Sequence, residues 1–203
     1  MASRTSWTEH CCETYRVDGL YFAAYGGLVH AVEALLKGGA DANAQWGQWD
    51  SALCTASYAN HADIVTAVLE HGANLDARYD RFGNALFAAL CLGNTEVVDI
   101  LLDHGTDING APSGRTALSE ASDNGNMEIV HLLLAYGADV NKRDNDGRTS
   151  LHNAVIHGNA EVAELLLNFG ADAKAECVEG INALGYALQL GYTRIAQLLF
   201  SAL

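Results

Sequence analysis

Hydrophobic and polar positions recur along the chain with a period close to 33 residues. A column of leucines marks this period, at successive intervals of 33, 33, 32, 33 and 33 residues. Its members are Leu20, Leu53, Leu86, Leu118, Leu151 and Leu184. Self-similarity at a fixed spacing of this size is typical of repeat proteins. We therefore interpret the chain as one structural unit written six times.

Polar residues and glycines mark the two ends of a first helix in every repeat. Two residues before each leucine stands a side chain that can accept a hydrogen bond from an exposed amide at a helix start. This column is Asp18, Ser51, Asn84, Thr116, Thr149 and Asn182. Seven residues after each leucine stands a residue type that tolerates left-handed backbone. That column is Gly27, Asn60, Gly93, Gly125, Gly158 and Gly191. The spacing predicts a first helix of about two turns.

A second helix follows in each repeat. In the third repeat, Val97, Val98, Leu101 and Leu102 lie at helical spacing, and Gly105 marks the end of the helix. Equivalent glycines are Gly39, Gly72, Gly137 and Gly170. Because such short helices cannot bury their apolar faces alone, the repeats must stack on one another. Stacking predicts one row of buried side chains: Leu35, Val68, Leu101, Leu133, Leu166 and Leu199.

The predicted fold class is all-α, with about six helix-turn-helix units joined by hairpin-like loops. We place the repeats at about residues 17–49, 50–82, 83–114, 115–147, 148–180 and 181–203, after an N-terminal extension or capping segment at residues 1–16. The last repeat is shorter than the others. We therefore expect four of its apolar residues to be partly uncovered: Leu188, Leu190, Leu199 and Phe200.

Several strings resemble the ankyrin repeat family. TSLHNA at residues 149–154 is similar to the T-P-L-H-x-A signature of that family, and GADVN at 137–141 and GNMEIV at 125–130 also resemble it. The resemblance extends over nearly all of residues 18–203 and implies an ankyrin-repeat solenoid. FGNALFAA at 82–89 and INALGYA at 181–187 resemble arrays common in filamentous fungi, which implies a fungal source. The signature proline is absent, which makes the first helical turn less rigid.

Composition excludes several classes of partner. The formal net charge of -14 repels phosphate backbones and anionic membrane surfaces, so we expect neither nucleic acid nor membrane as a partner. Apolar runs are far shorter than the ~18 residues that span a bilayer, and residues 1–13 lack the apolar core of a signal peptide. We therefore expect an intracellular protein, cytoplasmic or nuclear. The five cysteines form no C-x-x-C pair, which argues against a disulfide framework or a zinc site.

The loop at residues 139–150 looks at first like a calcium-binding loop. With Gly147 at the sixth position of the EF-hand pattern, Lys142 stands where the first carboxylate belongs and Asn153 where the bidentate glutamate belongs. We therefore predict that this stretch forms a tight turn and a helix cap. No metal and no cofactor is expected.

The resemblance implies that a protein or peptide partner binds along a concave groove, formed by the hairpin tips and the exposed side of the first helices. Aromatic residues suitable as anchors lie there in the first half of the chain, and basic residues lie near the tips, whereas the second helices carry many acids. We therefore expect an acidic or aromatic-rich partner. The aromatic side chains could equally pack between neighbouring repeats. The predicted partner-binding residues are Trp46, Trp49, Tyr58, Tyr79, Arg81, Phe82, Arg115, Asp123, Arg148 and His157.

Stacking also predicts a polar cluster between the fourth and fifth repeats. It brings Glu120, Asp123 and Arg115 against Asn153, His157 and Arg148. A carboxylate and an imidazole there could act as acid and base. The sequence has no G-x-S-x-G string, phosphate-binding glycine loop or histidine pair at metal spacing, so we predict a non-catalytic protein-protein interaction module without catalytic residues. Two alternatives stay open: an ankyrin-scaffold enzyme or small-molecule binder using Glu120, Asp123 and His157, and a repeat fragment of a larger receptor-like or scaffold protein. The oligomeric state is not predicted.

Overall fold

The computed structural model describes residues 19–45, 51–78 and 82–202 of the 203-residue chain. The chain divides into two compact units, Met1–Thr106 and Asp107–Leu203, which we call the N-terminal and C-terminal units. Paired α-helices make up both units. Within the described ranges, β pairing is limited to isolated bridges between Gln45 and Ser51 and between Glu176 and Asn182.

The N-terminal unit contains three helix pairs in its described residues. They are α1 (residues 19–25) with α2 (Val29–Lys37), α3 (Ala52–Tyr58) with α4 (Ala62–Glu70), and α5 (Ala85–Leu92) with α6 (Thr95–Asp103). First helices pack against first helices, as α3 does against α5, and the second helices α2, α4 and α6 pack in their own row. Leu53 and Leu86 are buried between the two rows, as the leucine column predicts.

The C-terminal unit repeats this arrangement three more times. Its pairs are α7 (Ala117–Asn124) with α8 (Met127–Ala135), α9 (Ser150–Ile156) with α10 (Ala160–Asn168), and α11 (Ala183–Leu190) with α12 (Thr193–Ala202). Helices α7, α9 and α11 pack side by side, and α8, α10 and α12 pack behind them. None of the helices in the described residues of either unit is long and apolar enough to cross a membrane.

The helix boundaries agree with the two columns predicted from the sequence. The side chains of Ser51, Asn84, Thr116 and Asn182 each accept a hydrogen bond from a backbone amide in the first turn. Asp18, the remaining predicted cap of the first repeat, lies outside the described residues. All six residues predicted to end the first helices have positive φ angles, including Asn60 at 60°. Both columns are thus confirmed wherever the structure describes them, with one variation at Thr149.

At Thr149 the cap uses a histidine. The Thr149 amide donates to Nδ1 of His152, at 3.1 Å, so this ring nitrogen is an acceptor. The other ring nitrogen, Nε2, therefore carries the proton and donates to the carbonyl oxygen of Ile181, at 3.2 Å. Burial of the ring, which is fully enclosed, lowers the pKa of His152 below its ordinary value. The histidine thus both caps α9 and ties it to the segment that precedes α11.

The predicted row of buried second-helix residues is confirmed for Val68 and Leu101 in the N-terminal unit and for Leu133, Leu166 and Leu199 in the C-terminal unit. Leu35 is only half-buried. The expectation that Leu199 is partly uncovered is wrong, since α12 turns this side chain inward against α10 and α11. Leu188, Leu190 and Phe200 are exposed as expected.

Asparagine side chains join successive repeats within each unit. Nδ2 of Asn159 donates to the carbonyl oxygens of Ser122 and Asp123, at 2.8 and 2.9 Å. In the N-terminal unit, Nδ2 of Asn94 donates in the same way to Ser57 and Tyr58. These bonds satisfy carbonyls at the end of the preceding first helix, which have no partner within that helix.

Candidate functional site

A polar cleft of about 440 Å³ opens in the C-terminal unit, between the loops that precede α7 and α9. We define the polar cleft by six of its lining residues: Arg115, Asp123, Asp144, Arg148, Asn153 and His157. Helix α7 supplies Asp123, and α9 with its C-cap supplies Asn153 and His157. The cluster predicted from stacking of the fourth and fifth repeats is therefore present as one connected site.

The loop at residues 139–150 forms one wall of the cleft, and its backbone is held by an aspartate. Oδ1 of Asp144 accepts hydrogen bonds from the amides of Asp146 and Arg148, at 2.9 and 2.8 Å. The amide of Asn145 donates to the carbonyl oxygen of Gly114 in the neighbouring loop, at 3.1 Å. Such bonds are those of an Asx turn, so the turn predicted at this loop is confirmed.

Arg115 and His157 both face the carboxylate of Asp123. Nη2 of Arg115 donates to Oδ2 of Asp123, Nη1 lies 3.2 Å from Oε2 of Glu120, and Nδ1 of His157 lies 2.8 Å from Oδ1 of Asp123. Burial alone would lower the pKa of Arg115, but the Asp123 hydrogen bond and the two carboxylates outweigh it and raise that pKa. Oδ2 of Asp123 is thus engaged by Arg115, whereas the buried Oδ1 accepts no hydrogen bond, because Nδ1 of His157 donates to the carbonyl oxygen of Asn153, at 3.1 Å.

Arg148 stands against Tyr186 of α11. Its Nη2 donates to the Tyr186 hydroxyl at 3.4 Å, and the guanidinium carbon lies 5.6 Å from the ring centroid, which is within the range of a cation–π contact. The Tyr186 hydrogen bond, opposed by burial, raises the pKa of Arg148 above its ordinary value. Nη1 is 3.8 Å from Oδ2 of Asp146, whose side chain is 68% exposed. Arg148 is thus held in place mainly by the tyrosine.

Two buried donors in the cleft have no hydrogen-bond acceptor. They are Nε of Arg148 and Nδ2 of Asn153. Asn153 is 4% exposed, so its amide is also shielded from bulk water. A buried donor without a partner is costly to keep, and such groups in folded proteins call for a specific explanation.

The predicted aromatic positions of the N-terminal unit are described only in part. Tyr58 and Phe82 stack on each other, with ring centroids 4.7 Å apart and planes inclined by 26°. Both side chains are half-buried, and the contact joins Tyr58 at the end of α3 to Phe82 just before α5. Trp46, Trp49, Tyr79 and Arg81 lie outside the described residues.

Four of the ten predicted partner-binding residues therefore meet in the polar cleft: Arg115, Asp123, Arg148 and His157. Sequence reasoning missed Asp144 as an organiser of the wall and Tyr186 as the support of Arg148. The signal for Tyr186 was its position, because it occupies the same place in its repeat as Glu120 and Asn153 occupy in theirs.

Comparison with known proteins identifies the repeats. A family model described as ankyrin repeats (3 copies) matches residues 76–144 and 118–202, and a single ankyrin repeat matches residues 48–80. No match is found among curated proteins.

Solved structures of ankyrin proteins are similar to this chain. An ankyrin repeat domain from Acinetobacter baumannii AYE has 29% identity and a TM-score of 0.84, over 90% of this chain and 96% of that one. The ankyrin repeat protein EF0377 has 28% identity and a TM-score of 0.84, over 91% and 97%. The ankyrin repeat domain of Bcl-3, a member of the IκB protein family, has 28% identity and a TM-score of 0.81, over 89% and 81%. With its paired helices and its matched repeats, the chain belongs to the ankyrin repeat family and has the all-α ankyrin solenoid fold.

Proposed function

We propose that the chain is a non-catalytic binding module that holds a protein or peptide partner at the polar cleft of its C-terminal unit. Ankyrin repeats are generally protein–protein interaction modules, and the family is typically without catalytic activity. The observation that carries the proposal is the position of the cleft, beside hairpin loops and first helices. A volume of about 440 Å³ accommodates one or two side chains of a partner.

The distribution of charge supports an acidic or aromatic-rich partner. Arg115 and Arg148 line the cleft together with three aspartates, whereas α8 and α10 carry the exposed acids Glu128, Glu161 and Glu164. An acidic segment is therefore repelled from the second helices, and the counter-charge that it meets at the loops is the guanidinium group of Arg148. An aromatic segment would find the guanidinium groups as cation–π partners.

Other parts of the proposal rest on the sequence. Tyr58 and Phe82, with Trp46, Trp49, Tyr79 and Arg81, are proposed as a further contact region in the N-terminal unit. An intracellular setting, cytoplasmic or nuclear, is supported by the odd number of cysteines without C-x-x-C spacing. A fungal source is supported by the strings at residues 82–89 and 181–187.

Two matched tryptophan variants test the binding surface. Ser113 is exposed at the rim of the cleft, and Glu164 is exposed on α10. Ser113→Trp places a bulky ring in the cleft mouth, whereas Glu164→Trp adds the same ring to a second helix. In quantitative affinity capture from a lysate of the source organism, we expect a specific partner to be lost by Ser113→Trp and retained by Glu164→Trp. Equal recovery by both variants would exclude the cleft as the binding surface.

A small-molecule binder, with or without acid–base chemistry, is the second candidate. It is favoured by the 2.8 Å approach of His157 Nδ1 to Asp123 Oδ1 inside a cleft of ligand size. The same variants separate the two candidates. A small ligand from a compound library would raise the thermal midpoint of the wild type and of Glu164→Trp, but not that of Ser113→Trp.

A further inference from the structure

The polar groups of the cleft differ in how fully they are used. Two of its acceptors are occupied, Oδ2 of Asp123 by Arg115 and Oδ1 of Asp144 by two backbone amides, whereas the buried Oδ1 of Asp123 accepts no hydrogen bond. Arg148 has five N–H groups but makes one hydrogen bond, the 3.4 Å contact with Tyr186, and a 3.8 Å ion pair with Asp146. The cleft therefore holds two buried donors without an acceptor and one buried acceptor without a donor.

The two unpaired donors lie on one side of the cleft. Arg148 immediately precedes Thr149, the N-cap of α9, and Asn153 lies in the first turns of that helix. Their unpartnered atoms, Nε and Nδ2, are both buried, and both residues line the cleft. Leaving two donors buried without acceptors destabilises the unbound protein, which favours a ligand that brings acceptors of its own.

We infer that this side of the polar cleft, formed by Arg148 and Asn153, is a receptor for the carboxylate of an acidic side chain on the partner. The inference rests on the proposed function, since it names the partner group that the cleft takes. A carboxylate has two oxygens and about four lone-pair positions, so it can accept from Arg148 and from Asn153 together. A single carbonyl oxygen offers fewer positions and no charge to complement the guanidinium.

The site is held ready by its surroundings. Tyr186 fixes Arg148 from the side of α11, and the Asp144 turn fixes the Arg148 backbone. Preorganised donors lose little conformational entropy on binding. Asp146, which is mostly exposed and 3.8 Å from Nη1, turns toward solvent as the ligand carboxylate takes its place beside Arg148. The other arginine, Arg115, remains engaged by Glu120 and Asp123.

Nuclear magnetic resonance can observe the inferred donors directly. The Nε–Hε group of Arg148 and the side-chain amide of Asn153 are followed in the ¹⁵N-labelled full chain. Three probes are titrated at equal ionic strength: the capped peptide acetyl-Gly-Glu-Gly-amide, its Gln counterpart and free glutarate. We expect the Glu peptide to shift both signals, and the Gln peptide to leave both unchanged. The Nε–Hε signal of Arg194, an exposed arginine paired with Glu161, is the internal reference.

Each other outcome overturns the inference. Equal shifts with the Gln peptide would mean a general acceptor site, stronger binding of glutarate than of the Glu peptide would mean a small-acid site, and no shift with any probe would mean no carboxylate site. Arg148→Lys keeps the charge and removes the planar fork, so we expect binding of the Glu peptide about tenfold weaker or worse. The matched variant Arg194→Lys should bind as the wild type does. Equal affinity of Arg148→Lys and the wild type would count against Arg148 as the receptor.

Failure of this inference can be told from failure of the proposed function. If Ser113→Trp abolishes capture of a partner while Arg148→Lys and Asn153→Leu capture it at the wild-type level, the cleft binds the partner but not through a carboxylate. If Ser113→Trp leaves capture intact, the binding surface itself is wrong. Dispersed amide spectra of each variant confirm that the comparison is between folded proteins.

Discussion

Replacing Gly125 with alanine tests how the end of α7 is joined to the next repeat. Gly125 has a φ of 69°, where an L residue costs about 1–2 kcal/mol. An added Cβ would lie 2.8 Å from Oδ1 of Asn159, so that side chain must move. Moving it breaks the hydrogen bonds to Ser122 and Asp123, each with a net contribution of about 1 kcal/mol. We therefore expect Gly125→Ala to lower the free energy of unfolding by about 3–4 kcal/mol.

Gly137→Ala provides the matched control. Gly137 also has a positive φ, 86°, but an added Cβ would meet nothing within 4 Å. It should lose only the backbone contribution, about 1–2 kcal/mol. Urea unfolding followed by circular dichroism measures both variants.

A double-mutant cycle isolates the role of Asn159. In an Asn159→Ala background, Gly125→Ala should cost no more than Gly137→Ala, which gives a coupling energy of about 2 kcal/mol. Equal losses for the two glycine variants in the wild-type background, or no coupling to Asn159, would refute the reasoning.

Two further predictions concern the interior of the C-terminal unit. Because burial lowers the pKa of His152 in the folded state, the unfolded state binds more protons below the ordinary histidine value, and stability falls as the pH drops through that window. In His152→Ser, which copies the Ser119 cap of α7, the free energy of unfolding measured in urea should fall less between about pH 7 and pH 5 than in the wild type. An unchanged dependence of this free energy on pH would contradict the role assigned to His152. Leu133→Ala removes a fully buried side chain and should lower the free energy of unfolding by about 3–5 kcal/mol. Phe200→Ala, at a 76% exposed position, should lower it by less than about 1 kcal/mol in the same measurement. Similar losses for the two variants would argue against a core centred on Leu133.

Features that depend on the backbone are predictable from the sequence. Ser51 and Asn84 are recognisable as caps because few residue types can accept an amide at a helix start, and Asn60 as a helix end because few tolerate left-handed backbone. The leucine column follows from the same logic, since each copy must bury the same face. These constraints are local and repeat in every copy.

Features that depend on side-chain conformation are predictable only in part. Stacking at a known period places Arg115, Asp123 and His157 near one another, because residues at related positions in neighbouring repeats must face each other. It does not show that Arg148 turns to Tyr186 of the following repeat, nor that Nε of Arg148 and Nδ2 of Asn153 lack acceptors. Such details depend on rotamers selected by packing, which the sequence alone does not specify.

The bonds from Asn159 bear on the order in which the protein matures on the ribosome. The carbonyls of Ser122 and Asp123 receive their donor from a residue as many as 37 positions later in the chain. At about 5–20 residues per second, α7 waits roughly 2–7 seconds for that amide to be synthesised. During translation the pair of α7 and α8 therefore keeps unpaired carbonyls at its leading edge until the next repeat emerges from the exit tunnel and supplies the donor.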